Sequence, residues 1–262
     1  MTWKRTSTIS AIVFLAGIAF ISAQAQQTTP LAVSNVVLVH GAWADGSSWS
    51  RVIPLLQEKG YNVTAVQIPL TSVADDVAVT SRVLAMQNGP TILVGHSYGG
   101  VVITEAGADA SNVVGLVYVS AFAPDVGETL GALNSRMPTG SGQANIRPDA
   151  YGFLWIDPKA FPESFVQDTD PVQARVMAAV QKPLSASIFG DNVTQAAWKS
   201  KPSWYLVSEN DRIINPDLER FMANRIGAKE VVSIPSSHAS LVSHPDEVVK
   251  LITDAANAMA IR

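Results

Sequence analysis

Ser97 lies at the centre of Val94-Gly95-His96-Ser97-Tyr98-Gly99-Gly100, a G-x-S-x-G pattern. A serine hydroxyl is a weak nucleophile near neutral pH, so it does acyl-transfer chemistry only when a base takes its proton and an acid orients that base. The chain has four histidines. His238 stands in Ser236-Ser237-His238-Ala239, a loop expected directly after a strand, where an open α/β sheet keeps its sites, and it is the candidate general base. His96, inside the pattern, is expected to point away from the catalytic side and pack in the core. His40, ahead of a glycine loop, is expected to hold that loop, and His244, beside Pro245, to face solvent.

Asp211 follows another expected strand end and is preferred as the orienting acid over Asp125, which sits beside Pro124 at the root of an insertion. A carboxylate at 211 would fix the imidazole tautomer and stabilise the imidazolium formed as Ser97 loses its proton. Asp45 and Glu209 read as loop caps or solvated groups. The reaction also needs donors for the developing oxyanion. One is the backbone N–H after the nucleophile, on Tyr98; the second is expected from Ala42 in His40-Gly41-Ala42-Trp43, where Gly41 permits close backbone approach. Losing one such donor typically costs ~3 kcal/mol of transition-state stabilisation.

These groups need rigid elements to bring them together. Thr91-Ile92-Leu93-Val94 reads as a buried strand and the Ala/Val-rich stretch after Gly100 as a helix, so Ser97 is expected on a sharp strand-to-helix turn in strained backbone geometry. Further apolar strands are expected at 35–40, 62–66, 113–120, 203–208 and 230–235, with helices at 49–59, 73–87, 215–226 and 245–260 between or after them. Such uniformly apolar strands, alternating with helices, imply a mostly parallel central sheet with helices on both faces. From Phe122 to about Lys201 no strand-like run occurs. Gly and Pro recur there, and short helical pieces are expected at 129–133, 158–165 and 171–181, forming a helical cap. Of its aromatics Phe153, Trp155, Phe161, Phe165 and Phe189, most are expected to pack the cap itself. The substrate pocket is expected to be shaped by Trp43, Tyr98, Phe122 and Trp155.

At 262 residues and 47% hydrophobic, one large core is expected. Lys4 and Arg5 precede an uncharged apolar run from Ile9 to Ile21, followed by Ala23-Gln24-Ala25. That pattern predicts a secretory signal cleaved after Ala25, with residues 26–34 as a tether and 35–262 as the domain; the run is too short for a permanent anchor. Loss of Lys4 and Arg5 takes the formal charge from −4 to −6 and leaves no basic stretch, so a nucleic-acid or anionic-membrane partner has no electrostatic footprint. With no cysteine, neither disulfides nor a thiolate metal site can form, which suits a periplasmic or secreted bacterial protein with a self-sufficient core.

With the opening Val37 to Trp43, the Gly-His-Ser-Tyr-Gly-Gly turn, and the tail Ser-Ser-His-Ala-Ser-Leu-Val-Ser-His-Pro, the chain resembles the α/β-hydrolase superfamily from Val36 to the final helix. Within it, these motifs look like the small esterases related to plant methyl esterases and hydroxynitrile lyases. The resemblance implies a Ser97-Asp211-His238 triad, an oxyanion hole at Ala42 and Tyr98, and a helical cap over the pocket; serine-hydrolase chemistry on that triad needs no metal or organic cofactor. Two departures weigh against cyanohydrin cleavage: Ala239 follows the histidine where the lyases carry lysine, and Gly41 lies where they carry threonine. The leading expectation is a serine hydrolase acting on a carboxylic ester or lactone. A lyase on the same scaffold and a non-catalytic ligand-binding protein are the alternatives.

Overall fold

The computed structural model describes residues 1–2 and 33–260. The expected signal at 1–25 and the tether therefore lie outside the described residues, apart from positions 1, 2, 33 and 34.

The apolar stretches form six strands of one sheet: β1 Asn35–Val39, β2 Asn62–Val66, β3 Thr91–His96, β4 Val113–Val119, then β8 Ser203–Ser208 and β9 Val231–Ile234. Their order is β2-β1-β3-β4-β8-β9, and every adjacent pair is parallel. The intervening β5 Ile146–Pro148, β6 Phe153–Ile156 and β7 Leu184–Ser185 belong to a second sheet. The four central strands are buried nearly throughout, because helices cover both faces and leave no position for a polar alternation.

Helices α1 Val52–Glu58, α2 Val73–Ala85 and α3 Gly99–Asp109 connect the first four strands, and α7 Pro216–Arg225 connects β8 to β9. The short α8 Ser240–Ser243 leads into α9 Pro245–Ala260, whose Val248, Leu251, Ile252 and Ala255 are buried. Local chemistry sets several of these starts. Ser72 accepts from the Asp75 N–H to cap α2, and Asn215 accepts from the Asp217 N–H with Pro216 in the first turn of α7. No helix among the described residues is long and apolar enough to cross a membrane.

The insertion after β4 holds α4 Leu130–Asn134, α5 Phe161–Phe165 and α6 Pro171–Val180, near the three expected helical pieces. It is not purely helical. β5, β6 and β7 form an antiparallel three-stranded sheet that the sequence did not announce. Strands of two to four residues, one ending in Pro148, are too short for a period-two pattern to emerge.

Candidate active site

The chain reverses direction across the sheet between β1 and β3, so the loops after their carboxyl ends part and leave a crevice. Ser97 closes β3 with φ of 53°, the left-handed conformation expected of a nucleophile turn. The turn is as tight as its glycines suggest. A Cβ on Gly95 would lie 2.6 Å from the Gly99 carbonyl oxygen, and one on Gly99 would lie 2.6 Å from that of Val39. Two backbone bonds fix the serine's own carbonyl, which accepts from the N–H groups of Gly100 (3.0 Å) and Phe122 (3.1 Å).

The Ser97 hydroxyl donates to His238 Nε2 at 2.8 Å, and His238 Nδ1 donates to Asp211 Oδ2 at 2.5 Å. All three residues are buried, so the ring and the carboxyl interact with little solvent screening. Because a carboxylate can only accept, Asp211 places the ring proton on Nδ1 and leaves Nε2 free for the serine proton. The other oxygen, Oδ1, accepts from the N–H groups of Ile213 (2.6 Å) and Ile214 (2.9 Å), which locks the carboxylate plane. Asp125, the competing acid, pairs with Lys199 and accepts from the Val126 N–H, away from His238. Asp45 caps a helical turn through the Ser47 N–H, and Glu209 pairs with Arg220 at the surface.

Ala42, Trp43, Ser97, Tyr98 and Phe122 line one cavity of about 350 Å³, its mouth included, with Leu130, Ile146, Leu184, Phe189 and Ile213 completing an apolar wall. Its other polar side chains are Asn134 and Gln143, whose amides bond each other reciprocally at 3.1 Å. Ala42 and Tyr98, the two residues expected to supply oxyanion donors, line this cavity together with Ser97, and neither backbone N–H donates to an acceptor among the described residues. Trp155 is a correction. It sits on β6, where its indole N–H donates to Asp149 (3.1 Å) and holds the ring to the cap's own turn, and it is not part of the cavity lining. It is Leu154, one residue earlier, whose carbonyl accepts from the Trp43 indole N–H at 2.9 Å.

The remaining histidines divide by environment. His40 donates from Nδ1 to the Gly41 carbonyl and accepts at Nε2 from the Ile68 N–H, so it ties the loop after β1 as a neutral ring. Burial pushes its pKa down to about 4. His96 is buried as expected but does not turn away from the site: its Nε2 donates to the His238 carbonyl at 3.0 Å, and the two rings lie 4.8 Å apart. Burial holds His96 well below the usual imidazole range, with the His238 ring contributing in the same direction. His244, expected to face solvent, is partly covered and bonds the Ser243 hydroxyl.

Sequence reasoning missed the residues that support the triad from behind. Phe165 of the cap presents an edge contact to the His238 ring at 4.8 Å and stacks on Phe161 at 5.0 Å. The hydroxyls of Ser120, Ser208, Ser236 and Ser240 form a buried chain that binds the ends of β4 and β8 to the loop carrying His238. Asp76, in the first turn of α2, is turned inward and accepts from the Tyr98 hydroxyl (2.7 Å) and the Leu70 N–H (2.7 Å). Burial pushes its carboxyl up to about 6 against the pull of those two bonds.

Residues 36–251 match the model of the alpha/beta hydrolase family. The chain belongs to that family. This hydrolase is 27% identical to the pyrethroid hydrolase of Sphingobium wenxiniae, over 88% of its own chain and 90% of the relative's. It is also 27% identical to the carbendazim hydrolyzing esterase of a Nocardioides strain, over 83% and 98%. The crystal structure of a pyrethroid hydrolase from Sphingobium faniae superposes with a TM-score of 0.74 at 25% identity, covering 88% of this chain and all of that one. Polyneuridine aldehyde esterase shares the fold, with a TM-score of 0.74 at 21% identity over 85% and 98% of the two chains.

Proposed function

We propose that this hydrolase cleaves a carboxylic ester through an acyl-enzyme on Ser97. The single observation that carries the reading is the unbroken line from the Ser97 hydroxyl to His238 Nε2 and from His238 Nδ1 to Asp211, opening onto an apolar cavity. Ser97 Oγ attacks the carbonyl carbon while its proton passes to His238 Nε2. Asp211 keeps the ring oriented and offsets the imidazolium charge. The carbonyl oxygen becomes an oxyanion facing the N–H groups of Tyr98 and Ala42. His238 then gives its proton to the departing alcohol, and water repeats the sequence to release the acid and restore Ser97. The esterase relatives support this reaction class.

The lining supports a compact apolar substrate. Phe122, Leu130, Leu184, Phe189 and Ile213 offer no charge to an ionic acyl or alcohol group, and Asn134 and Gln143 satisfy each other. Lactones carry the same carbonyl chemistry and belong in the same assay. Purified protein is expected to hydrolyse short p-nitrophenyl esters, and Ser97→Ala to lose on the order of 10³-fold or more of that rate. An acyl adduct on the Ser97 peptide in a mass spectrum separates this mechanism from lyase chemistry, in which the triad works only as acid and base. Unchanged turnover in Ser97→Ala would remove the proposal.

Export to the periplasm or beyond is part of the same reading, supported by the sequence of residues 4–25 alone. Expression of the full chain in a bacterial host is expected to give an extracytoplasmic protein beginning at Gln26. Recovery of an uncleaved cytoplasmic chain would overturn it.

A further inference from the structure

One buried ionisable group has no part in the chemistry above. Glu219, on the inner face of α7, is completely buried. Its Oε2 accepts from the Ser208 N–H at 3.0 Å, while no N–H or hydroxyl donor among the described residues reaches its Oε1. Ser208 joins Glu219 to Asp211, whose backbone N–H donates to the Ser208 carbonyl at 3.1 Å, and the Asp211 carboxyl lies within hydrogen-bond reach of the Glu219 side chain. Two carboxylates brought together without a cation repel, and the contact becomes favourable only when one proton lies between them.

Donor counting decides which residue carries that proton. Asp211 receives three: the N–H groups of Ile213 and Ile214 and the His238 ring. Glu219 receives one, from Ser208. Each donor favours the ionised form, so the negative charge belongs on Asp211. The surroundings do not reverse this. Arg220 is turned to the surface, where it pairs with Asp217 and Glu209. The Tyr205 phenol, pushed up by burial, donates to the Ala121 carbonyl, and His96 on the far side of His238 is a neutral ring.

We propose that Glu219 is an un-ionised carboxylic acid that donates a hydrogen bond to Asp211 and so acts as a positioning residue behind the triad. The inference rests on the hydrolase reading of Ser97, His238 and Asp211. The hydrogen bond spreads part of the Asp211 charge onto Glu219, which moderates the pull of Asp211 on the imidazolium and leaves His238 free as a base to lower pH. Burial, followed by the nearby charge of Asp211, holds the Glu219 acid well above the usual carboxylate range.

The test compares Glu219→Met, which fills the site without a donor, with Glu219→Gln, whose amide can accept from Ser208 and donate to Asp211. In Glu219→Met the acid limb of kcat/KM is expected to move to higher pH, by roughly half a unit to one unit, with KM little changed. Glu219→Gln is expected to bring the limb back toward its wild-type position. A limb in Glu219→Gln displaced to lower pH by about one unit or more would mean that an ionised Glu219 had been neutralised. That result, or a wild-type limb in Glu219→Met, would overturn the proposal. Infrared spectroscopy supplies a second readout should Glu219→Met fail to fold. Well above the pH near 6 at which Asp76 ionises, the wild type is expected to show the carbonyl band of an un-ionised carboxylic acid that Glu219→Gln lacks. Identical spectra would refute it. This measurement needs no turnover, so it judges Glu219 even if Ser97→Ala were to remove the hydrolase mechanism.

Discussion

Gly99→Ala tests whether the turn around Ser97 sets the reaction geometry. The new Cβ would stand 2.6 Å from the Val39 carbonyl oxygen and 2.8 Å from that of His40. Carbon and carbonyl oxygen normally approach no closer than ~3.3 Å, so the start of α3 and the end of β1 must separate by about 0.7 Å. Both partners are backbone, and no side-chain rotation relieves the clash. The displaced segments carry the two proposed oxyanion donors, Tyr98 ahead of α3 and Ala42 after β1. A misplacement near 1 Å costs on the order of 10²-fold in rate, so kcat is expected to fall by roughly 10- to 100-fold. Overpacking of this kind costs about 1–3 kcal/mol, a fall in Tm of roughly 2–12 °C for a domain of this size. Initial rates on a short p-nitrophenyl ester, run beside a thermal melt, measure both. Gly190→Ala is the control, since a Cβ there meets nothing within 4 Å. A Gly99→Ala protein with wild-type kcat and Tm would refute the reasoning, because the turn would then have slack that the distances deny.

Acid stability gives a second expectation through His40. Its folded pKa, lowered from 6.5 to about 4, means that its contribution is fully present above 6.5 and is lost as pH falls toward 4, because the unfolded chain takes up the proton first. The loss approaches about 3 kcal/mol at pH 4. Asp76, raised from 3.8 to about 6, acts in the opposite sense over nearly the same window, losing stability as pH rises. It cancels when the wild type is compared with His40→Gln by denaturant unfolding. The stability advantage of the wild type over this variant is expected to shrink by about 3 kcal/mol between pH 6.5 and 4; a constant difference would count against a neutral buried His40. Tyr98→Phe removes the hydroxyl that donates to Asp76 and leaves a buried carboxylate oxygen unpaired, so a destabilisation of about 1–3 kcal/mol is expected in the same unfolding assay. No change would show that water replaces the lost donor.

The sequence alone determined the elements that rest on short-range rules. Six apolar runs became six parallel strands, and the four central ones are the most uniformly apolar because a strand covered on both faces leaves almost no position for a polar side chain. The serine turn was legible because its glycines and its flanking strand and helix are contiguous in the chain. The aspartate and histidine were legible because each follows a strand end, and in a parallel sheet all such ends lie on one edge. Only the tertiary structure decided which side chains meet behind that edge. Phe165 reaches His238 from a cap helix, His96 supports the His238 carbonyl, and Glu219 meets Asp211 from α7. Trp155 is excluded from the cavity for the same class of reason. Whether two residues many positions apart touch depends on the register and rotation of separate elements, and a change of one residue along a strand, or about 100° around a helix, turns a side chain from the site into its surroundings.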